Sequence, residues 1–343
     1  METMPQVGLV CGVDSHADTI MAAVCDSTGR LLGTAEFPVT TAGHRRLAGW
    51  LGSLGGVSVA GVEGTASYGR ATTDFLIGMG IKVVEVIRPN RQTRRRNGKS
   101  DPADAVAAAR AVISGEADTI PKSGDGPVEA IRVLQIARTS AIKARSQAAN
   151  QLRDLIITAP LELRERLRPL TTTHRVQLCA RLRPGCPLNV ALRILARRHQ
   201  TLTVEIDDLT GRLDRLVAAT APNLVSMHGV GPDVAAKLLI AAGDNPDRLR
   251  TEASFAALCG ASPVDASSGL QRRHRLNRGG NRAANNALWT IALVRMSSHP
   301  ATRTYVQRRT AQGLTKPEII RCLKRYIARQ AHHAILKDLT RLT

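Results

Sequence analysis

Residues 7–39 read VGLVCGVDSHADTIMAAVCDSTGRLLGTAEFPV, and the fold of the chain is best inferred from this segment. Apolar and β-branched residues fill three short runs in it, Val7–Asp14, Thr19–Cys25 and Leu31–Val39. Short polar or glycine-containing segments separate the runs. Runs of this length and composition are typical of β-strands. The sequence therefore predicts three consecutive strands with no helix between them.

The pattern continues outward as alternating helices and strands up to about residue 115. We predict a helix from Thr41, a buried strand Val57–Val62, a helix Gly69–Gly80, a strand Val83–Ile87 and an alanine-rich helix Asp101–Ile113. Three strands followed by helix, strand, helix, strand and helix is the order of an RNase H-like domain. A doubly wound sheet would usually place a helix between its early strands. The fold class predicted for residues 1–115 is therefore α/β, with an RNase H-like (RuvC-like) domain.

The remainder of the chain is predicted to be helical. Gly115–Pro127 has the composition of a linker. Beyond it, a helical coiled-coil region and a C-terminal helical domain complete the expected all-α part of the fold. The predicted parts are a catalytic domain at 1–115, a linker at 116–127, a coiled-coil region at 128–220 and a C-terminal domain at 221–343.

A heptad pattern marks the region between the two predicted domains. Leucine or isoleucine recurs at alternating steps of four and three residues from Leu188 to Leu216, with one polar interruption at His199. Such spacing predicts the apolar seam of a coiled coil. A weaker seam runs from Ile131 to Leu155. The two helices could pair within one chain, or the region could be a dimerisation arm, and the pattern leaves both interpretations open.

The C-terminal domain begins with a glycine turn between helices. His228-Gly229-Val230-Gly231, followed by an apolar run, is similar to a helix-hairpin-helix. In that motif, backbone N–H groups at a helix N-terminus bind a DNA phosphate. We therefore predict that Gly229 and Gly231 bind nucleic acid.

The composition indicates a polyanionic partner. The formal net charge is +20, and only eight of the 48 basic residues are lysine. Arginine is well suited to phosphate because its planar fork donates two hydrogen bonds at once. Aromatic residues make up only 2% of the chain, which argues against a protein that reads single-stranded bases on stacked Phe and Tyr. No stretch has the length of a membrane span, and the six cysteines lack zinc-site spacing, so we expect a cytoplasmic bacterial protein.

Four acidic residues occupy the positions where chemistry is expected. Asp14 closes the first predicted strand, Glu63 closes the fourth, and Asp101 and Asp104 lie one turn apart at the start of a helix. The ends of the first and fourth strands are neighbours in an RNase H-like sheet, and the last helix packs beside them. Four converging carboxylates repel one another unless cations bind between them. We therefore predict two Mg²⁺ ions here, although Asp101 alone could be a helix cap before Pro102.

These residues resemble those of DEDD-type transposases of the insertion sequence 110 family. The resemblance rests on Asp14 after an apolar strand, on Glu63-Gly64-Thr65 with Tyr68 close behind, and on RNGKSDPADA at 96–105. In the second half it rests on HGVGPDVAAKLL, on FAALCGASP, on Ser268-Gly269 and on GGNRAANNAL at 279–288. The motifs keep the family's order over nearly the whole chain. Ser100-Asp101-Pro102 departs from the more usual Thr-Asp.

The resemblance implies a transposase that is a bridge-RNA-guided recombinase. It implies Asp14, Glu63, Asp101 and Asp104 as metal ligands and Ser268 as the nucleophile, with Ser267 as the adjacent alternative. A serine that attacks phosphorus retains the energy of the phosphodiester in an ester, so strands can be rejoined without ATP. The arginines around it would neutralise scissile phosphates; they are Arg272, Arg273, Arg275, Arg278 and Arg282.

The expected partners are double-stranded donor and target DNA, a guide RNA and further copies of the chain in a dimer or tetramer, without a membrane. The protein would associate with the nucleoid when it is bound to DNA. Two other functions fit the residues. One is a metal-dependent, structure-selective nuclease, similar to a Holliday-junction resolvase, in which water attacks phosphorus. The other is a non-catalytic nucleic-acid-binding protein.

Overall fold

The computed structural model describes residues 8–86, 100–269, 274–275, 277 and 279–342. The chain divides into two compact units, Met1–Gly124 and Asp125–Thr343.

A five-stranded sheet forms the centre of the first unit. Its strands are β1 (Val10–Ser15), β2 (Thr19–Cys25), β3 (Leu31–Pro38), β4 (Val59–Glu63) and β5 (Lys82–Val86). The order across the sheet is β3-β2-β1-β4-β5. β1 pairs antiparallel with β2, and β2 with β3, whereas β1–β4 and β4–β5 are parallel. The ends of β1 and β4 therefore lie side by side at one edge.

Three helices accompany the sheet: α1 (Thr41–Ser53), α2 (Arg70–Gly78) and α3 (Asp101–Ile113). Leu47 and Leu51 of α1 and Leu76 of α2 share one apolar cluster with the strands. Ala109 of α3 belongs to a second cluster with Val10 and its cross-strand partner Cys25. β1 is buried along its whole length, as expected for a strand in the middle of a sheet.

Two glycines allow α3 to lie directly on the sheet. Gly12 of β1 and Gly61 of β4 are register partners in the parallel pair. A Cβ atom on Gly12 would overlap the carbonyl oxygen of Ala105 in α3, and one on Gly61 would lie 2.8 Å from the carbonyl oxygen of Ala108. The backbone of α3 therefore approaches these strands more closely than any side chain would permit. This close packing holds the start of α3 near the end of β1.

The mixed α/β unit predicted for the N-terminal part is confirmed, and so is the mostly helical remainder. The bounds of β2 and α3 agree with the prediction, and the other described elements begin or end within a few residues of it. Val7 and Ile87, at the ends of two predicted strands, lie outside the described residues. The segment predicted as a linker begins within the first unit, which ends at Gly124. In this segment the carbonyl of Thr119 accepts a hydrogen bond from the N–H of Glu85 at 2.8 Å.

The second unit is almost entirely helical. Its longer helices are α4 (Pro127–Ile157), α7 (Pro187–Thr220), α9 (Pro232–Ala242), α11 (Arg282–Ser298), α12 (Pro300–Ala311) and α13 (Lys316–Thr340). Shorter ones are α5 (Leu161–Leu167), α6 (Thr172–Ala180), α8 (Pro222–Val225) and α10 (Glu252–Leu258), with a 3₁₀ turn at Pro246–Arg248. Two short strands, β6 (Val264–Asp265) and β7 (His274–Arg275), pair antiparallel. Of the helices in the described part, none is long and apolar enough to cross a membrane.

The long helices α4 and α7 pack against each other as an antiparallel pair within the chain. Ile131 near the start of α4 shares an apolar cluster with Leu213 near the end of α7. Leu152 near the end of α4 shares another with Leu192 near the start of α7. Of the two interpretations of the heptad region, intramolecular pairing is therefore observed.

The buried face of α7 is rotated slightly from the predicted seam. Leu192, Ile206 and Leu213 of the predicted seam are buried, and so are Ala196 and Val217 beside it. The predicted seam residues Leu195, Leu202, Leu209 and Leu216 are only half-buried at the edge of this face. Burial lowers the pKa of His199, as does the charge of Arg145 on α4.

Candidate metal centre and nucleic-acid interface

The end of β1 and the start of α3 bring three side chains together. Asp14 is the fifth residue of β1, and its side chain is largely buried. Asp101 is the first residue of α3, and His16 follows β1 directly. One possible ligand atom from each of the three lies within 4.8 Å of the others. In the described part of the chain, no other group of three or more His, Cys, Asp or Glu residues meets this limit.

The imidazole of His16 lies between the two carboxylates. Its Nε2 is 3.5 Å from Oδ2 of Asp14 and 3.3 Å from Oδ2 of Asp101. This nitrogen is buried from solvent and forms no hydrogen bond. A buried ring nitrogen without a hydrogen bond, beside two carboxylate oxygens, is a set of donor atoms suited to a divalent cation.

Asp101 is not the cap of its helix, which was the alternative explanation for it. The N-cap residue of α3 is Ser100, and Pro102 follows Asp101 inside the first turn. Asp101 and Asp104 are both acidic residues of that turn, where the helix dipole favours negative charge. Asp101 is therefore available at the surface of the cluster.

Glu63 and Asp104 lie near this cluster in the fold without completing it. Glu63 ends β4, whose residues Val59–Val62 pair with Val10–Val13 immediately before Asp14. Asp104 is buried one helical turn after Asp101. Neither side chain belongs to a group of three within the 4.8 Å limit. The role of all four acids as metal ligands thus stays a prediction.

His16 was missed from the sequence alone. A histidine two residues after a strand is common, and nothing local distinguishes it from a surface residue. The available signal was its spacing from Asp14, because residues i and i+2 at a strand end project to the same side. This spacing indicates a metal site only once Asp101 of α3 is known to lie beside both residues.

Ser268 lies in the loop that joins β6 to β7. Ser267, Ser268 and Gly269 are all exposed. The N–H of Ser267 donates to Oδ1 of Asp265 at 2.8 Å, which fixes the turn into the loop. Gly269 has a φ of +58°, and the space beside it is open. The hydroxyl of Ser268 thus sits on an accessible loop where a large substrate could approach.

Two of the five predicted phosphate-binding arginines are described. Arg275 in β7 is exposed and pairs with Val264 across the hairpin that carries Ser268. Arg282 is exposed at the first position of α11. Arg272, Arg273 and Arg278 lie outside the described residues.

The predicted glycine hairpin lies between α8 and α9. Gly229 has a φ of +81°, and a Cβ atom there would lie 3.3 Å from Cγ1 of Val294 in α11. Gly231 is the N-cap of α9 and has open space beside it. Arg295 fixes the turn, since its Nε donates to the carbonyl of His228 at 2.8 Å. The turn is therefore rigid, and its binding of phosphate stays a prediction.

Comparison with known proteins places the chain in one family. Residues 11–158 match the transposase family DEDD_Tnp_IS110. Residues 221–307 match the family described as "Transposase IS116/IS110/IS902 family". The two matches follow each other in the chain, and together they cover more than half of it.

Two proteins of Streptomyces coelicolor are similar in sequence. One is an "Insertion element IS110 uncharacterized 43.6 kDa protein", 38% identical over 106 residues, which are 31% of this chain and 26% of that protein. The chain thus matches only about a quarter of that relative's length. The other is a "Mini-circle putative transposase for IS117", 24% identical over an alignment of 389 positions that spans 95% of this chain and 93% of that protein.

The family matches, the order of the motifs and the full-length similarity agree with one another. The chain belongs to the IS110 family of transposases, which are DNA-acting enzymes.

Proposed function

We propose that the protein cleaves and rejoins DNA strands as a recombinase of an insertion sequence, through a covalent phosphoserine intermediate. The observation that carries this proposal is the convergence of Asp14, Asp101 and the unbonded Nε2 of His16 at the end of β1. Asp14 is largely buried and Asp101 is half-exposed, and carboxylates this close repel each other unless a cation lies between them. Their arrangement therefore supports a catalytic role over a structural one.

The residues present fit a divalent metal. Asp14, Glu63, Asp101 and Asp104 would hold it, and carboxylate oxygens are the ligands that Mg²⁺ prefers. We propose two Mg²⁺ ions. When bound, they would neutralise the charge that develops on a phosphate under attack. The strand order β3-β2-β1-β4-β5 supports an RNase H-like (RuvC-like) origin of this site.

The hydroxyl of Ser268 is the proposed nucleophile. Its Oγ attacks phosphorus, a P–O bond to a deoxyribose oxygen breaks, and the serine proton is transferred so that the leaving oxygen departs as a hydroxyl. Attack by a second deoxyribose hydroxyl on the phosphoserine then forms the new strand and regenerates the serine. Arg275, on the same hairpin, would bind the phosphate.

The partners follow from the charge and from the family. A net charge of +20 supports binding to double-stranded donor and target DNA. We further propose a bridge RNA as guide, a dimer or tetramer as the working form, and a cytoplasmic location on the nucleoid. Gly229, Gly231, Arg275 and Arg282 would contact the nucleic-acid backbone.

The carboxylates are tested by amide variants. Asp14→Asn, Glu63→Gln, Asp101→Asn and Asp104→Asn should each abolish Mg²⁺-dependent DNA cleavage, because an amide removes the charge but keeps the shape. Circular dichroism should show unchanged helix content. Asp18→Asn, an exposed acid near the cluster but outside it, is the control and should cleave normally. Normal cleavage by both Asp101→Asn and Asp104→Asn would remove the metal site from the proposal.

The serine is tested by the covalent intermediate. Labelled DNA incubated with the protein should give a protein–DNA adduct on a denaturing gel. Ser268→Ala should lose both adduct and cleavage, whereas Ser267→Ala should retain them, because Ser268 is the residue beside the open Gly269. If Ser268→Ala cuts DNA at the original rate, water is the nucleophile, and the resolvase-like function replaces the recombinase.

A further inference from the structure

A polar cavity lies along the first two turns of α11 in the second unit. Its volume is about 270 Å³, slightly below the range of about 300 to 1,000 Å³ that is usual for small-molecule sites. Four of its residues occupy successive i, i+3 and i+4 positions on one face of the helix. The lining residues are Asn277, Gly279, Arg282, Asn285, Asn286 and Trp289.

Trp289 provides an exposed aromatic wall. Its side chain is 44% exposed, and no ring in the described part of the chain stacks on it. The chain has only two tryptophans, and the other, Trp50, packs on Phe37 with ring centroids 5.8 Å apart. A large aromatic surface left open to a polar cavity is a feature of binding sites.

The floor of the cavity is rigid. Asn285 donates from Nδ2 to the carbonyls of Cys259 at 2.8 Å and Gly260 at 3.0 Å. Its Oδ1 accepts a hydrogen bond from Nζ of Lys324 at 2.6 Å. Lys324 is itself buried, which lowers its pKa, and this network is therefore part of the domain core. The amide nitrogen and the amide oxygen of Asn285 are therefore both hydrogen-bonded within the protein.

Two further side chains are available to a ligand. Arg282 and Asn286 are exposed at the cavity, and within the described residues their side chains form no hydrogen bond or ion pair. An indole face, a guanidinium and a free carboxamide match the base, the phosphate and the base edge of one nucleotide. A single tryptophan suits one base, which is compatible with the low aromatic content of the chain.

We propose that this cavity binds one unpaired nucleotide, with its base on Trp289, its phosphate on Arg282 and its base edge at Asn286. The proposal rests on the proposed function only in that the protein meets nucleic acid with unpaired segments. DNA and RNA both supply this chemistry, so the experiment contains an arm for each.

Tryptophan fluorescence tests the site directly. The Trp50→Phe protein has Trp289 as its sole indole, so its emission reports on the cavity alone. Titration with short single-stranded DNA or RNA of mixed sequence, without divalent metal, should quench this emission, and the more effective of the two identifies the source. A blunt duplex of equal charge should bind with less quenching, because its bases are already stacked.

Matched variants separate stacking from charge. In anisotropy measurements with labelled single strands, Trp289→Leu should weaken binding about tenfold, and Trp289→Phe should restore most of it. Binding that is detected by anisotropy but leaves the emission of Trp289 unchanged would overturn the proposal. So would equal affinity of Trp289→Leu and the parent protein when circular dichroism shows both folded. Since these readouts need neither metal nor Ser268, loss of DNA cleavage in the earlier experiments would not affect them.

Discussion

At the scale of single residues, His16 changes the chemistry expected of the acidic cluster. Four carboxylates alone would be a purely hard set of oxygen donors. An imidazole nitrogen 3.3 Å and 3.5 Å from two of them adds a softer donor. Such a residue either binds the metal or orients a ligand that does. In both cases it affects metal affinity before any chemistry takes place.

His16→Ala should therefore weaken divalent metal binding by about tenfold, a loss typical of groups that bind or orient metal ligands. The loss should be larger for Mn²⁺ than for Mg²⁺, because imidazole favours the softer ion. Titration calorimetry measures both affinities without DNA. Asp18→Asn, two residues away and outside the cluster, should bind both metals as the parent protein does. Tighter binding after removal of His16 would show that it competes with the metal as a cation.

At the level of helices and strands, two packing contacts matter most: α3 on the sheet of the first unit, and α4 on α7 in the second unit. The glycine pair at Gly12 and Gly61 lets α3 lie on β1 and β4, which carries Asp101 to Asp14. In the second unit, α4 and α7 form a long antiparallel pair whose buried residues face each other within the chain. The half-buried leucines at the edge of α7 remain a surface that a second copy could cover.

We expect the paired change Leu202→Lys and Leu209→Lys to lower the oligomeric mass in solution, because both side chains lie at that edge. Light scattering coupled to size exclusion measures the mass. Ile206→Ala is the contrasting control, since Ile206 is buried in the pair: it should reduce the free energy of unfolding by about 2 to 5 kcal/mol and leave the mass unchanged. If the double variant is folded and its mass is unchanged, the heptad residues serve only the packing of α4 against α7 within one chain.

At the scale of the whole molecule, the arginine excess dominates. The net charge of +20 favours a polyanionic partner, and the family matches favour DNA. Some arginines are paired with acids within helices, as Arg212 is with Asp208 at 2.8 Å, and such pairs add nothing to the net charge. The arginines that contact phosphates determine how strongly nucleic-acid binding depends on salt.

Affinity for duplex DNA should fall about a thousandfold or more between 50 and 200 mM salt, as counterion release by several phosphate contacts predicts. Arg275→Gln should reduce the slope of log affinity against log salt by about 0.9, the value for one phosphate contact. Arg212→Gln should leave the slope unchanged, because that guanidinium is already neutralised by Asp208. RNA should compete with the DNA or bind beside it. Affinity nearly independent of salt would contradict a phosphate-based interface.

The sequence by itself determined the order of the elements, the positions of the four acids at element ends and the family. These follow from local hydrophobic periodicity, turn residues and motif spacing, which neighbouring residues are sufficient to encode. It also placed Ser268 beside a glycine, and the structure shows that glycine at positive φ in an open loop.

Only the tertiary structure decided which side chains meet. Asp101 joins Asp14 and His16 because α3 can approach two glycines on different strands, and Gly12 lies more than ninety positions before its α3 neighbour Ala105. The buried face of α7 combines Leu192, Ile206 and Leu213 of the predicted seam with Ala196 and Val217 beside it. Trp289 lines a cavity together with Asn277 and Gly279, which precede α11 in the chain. The physical reason is the same in each case: side-chain neighbours depend on how closely two backbones pack, and that distance is a property of the pair of elements.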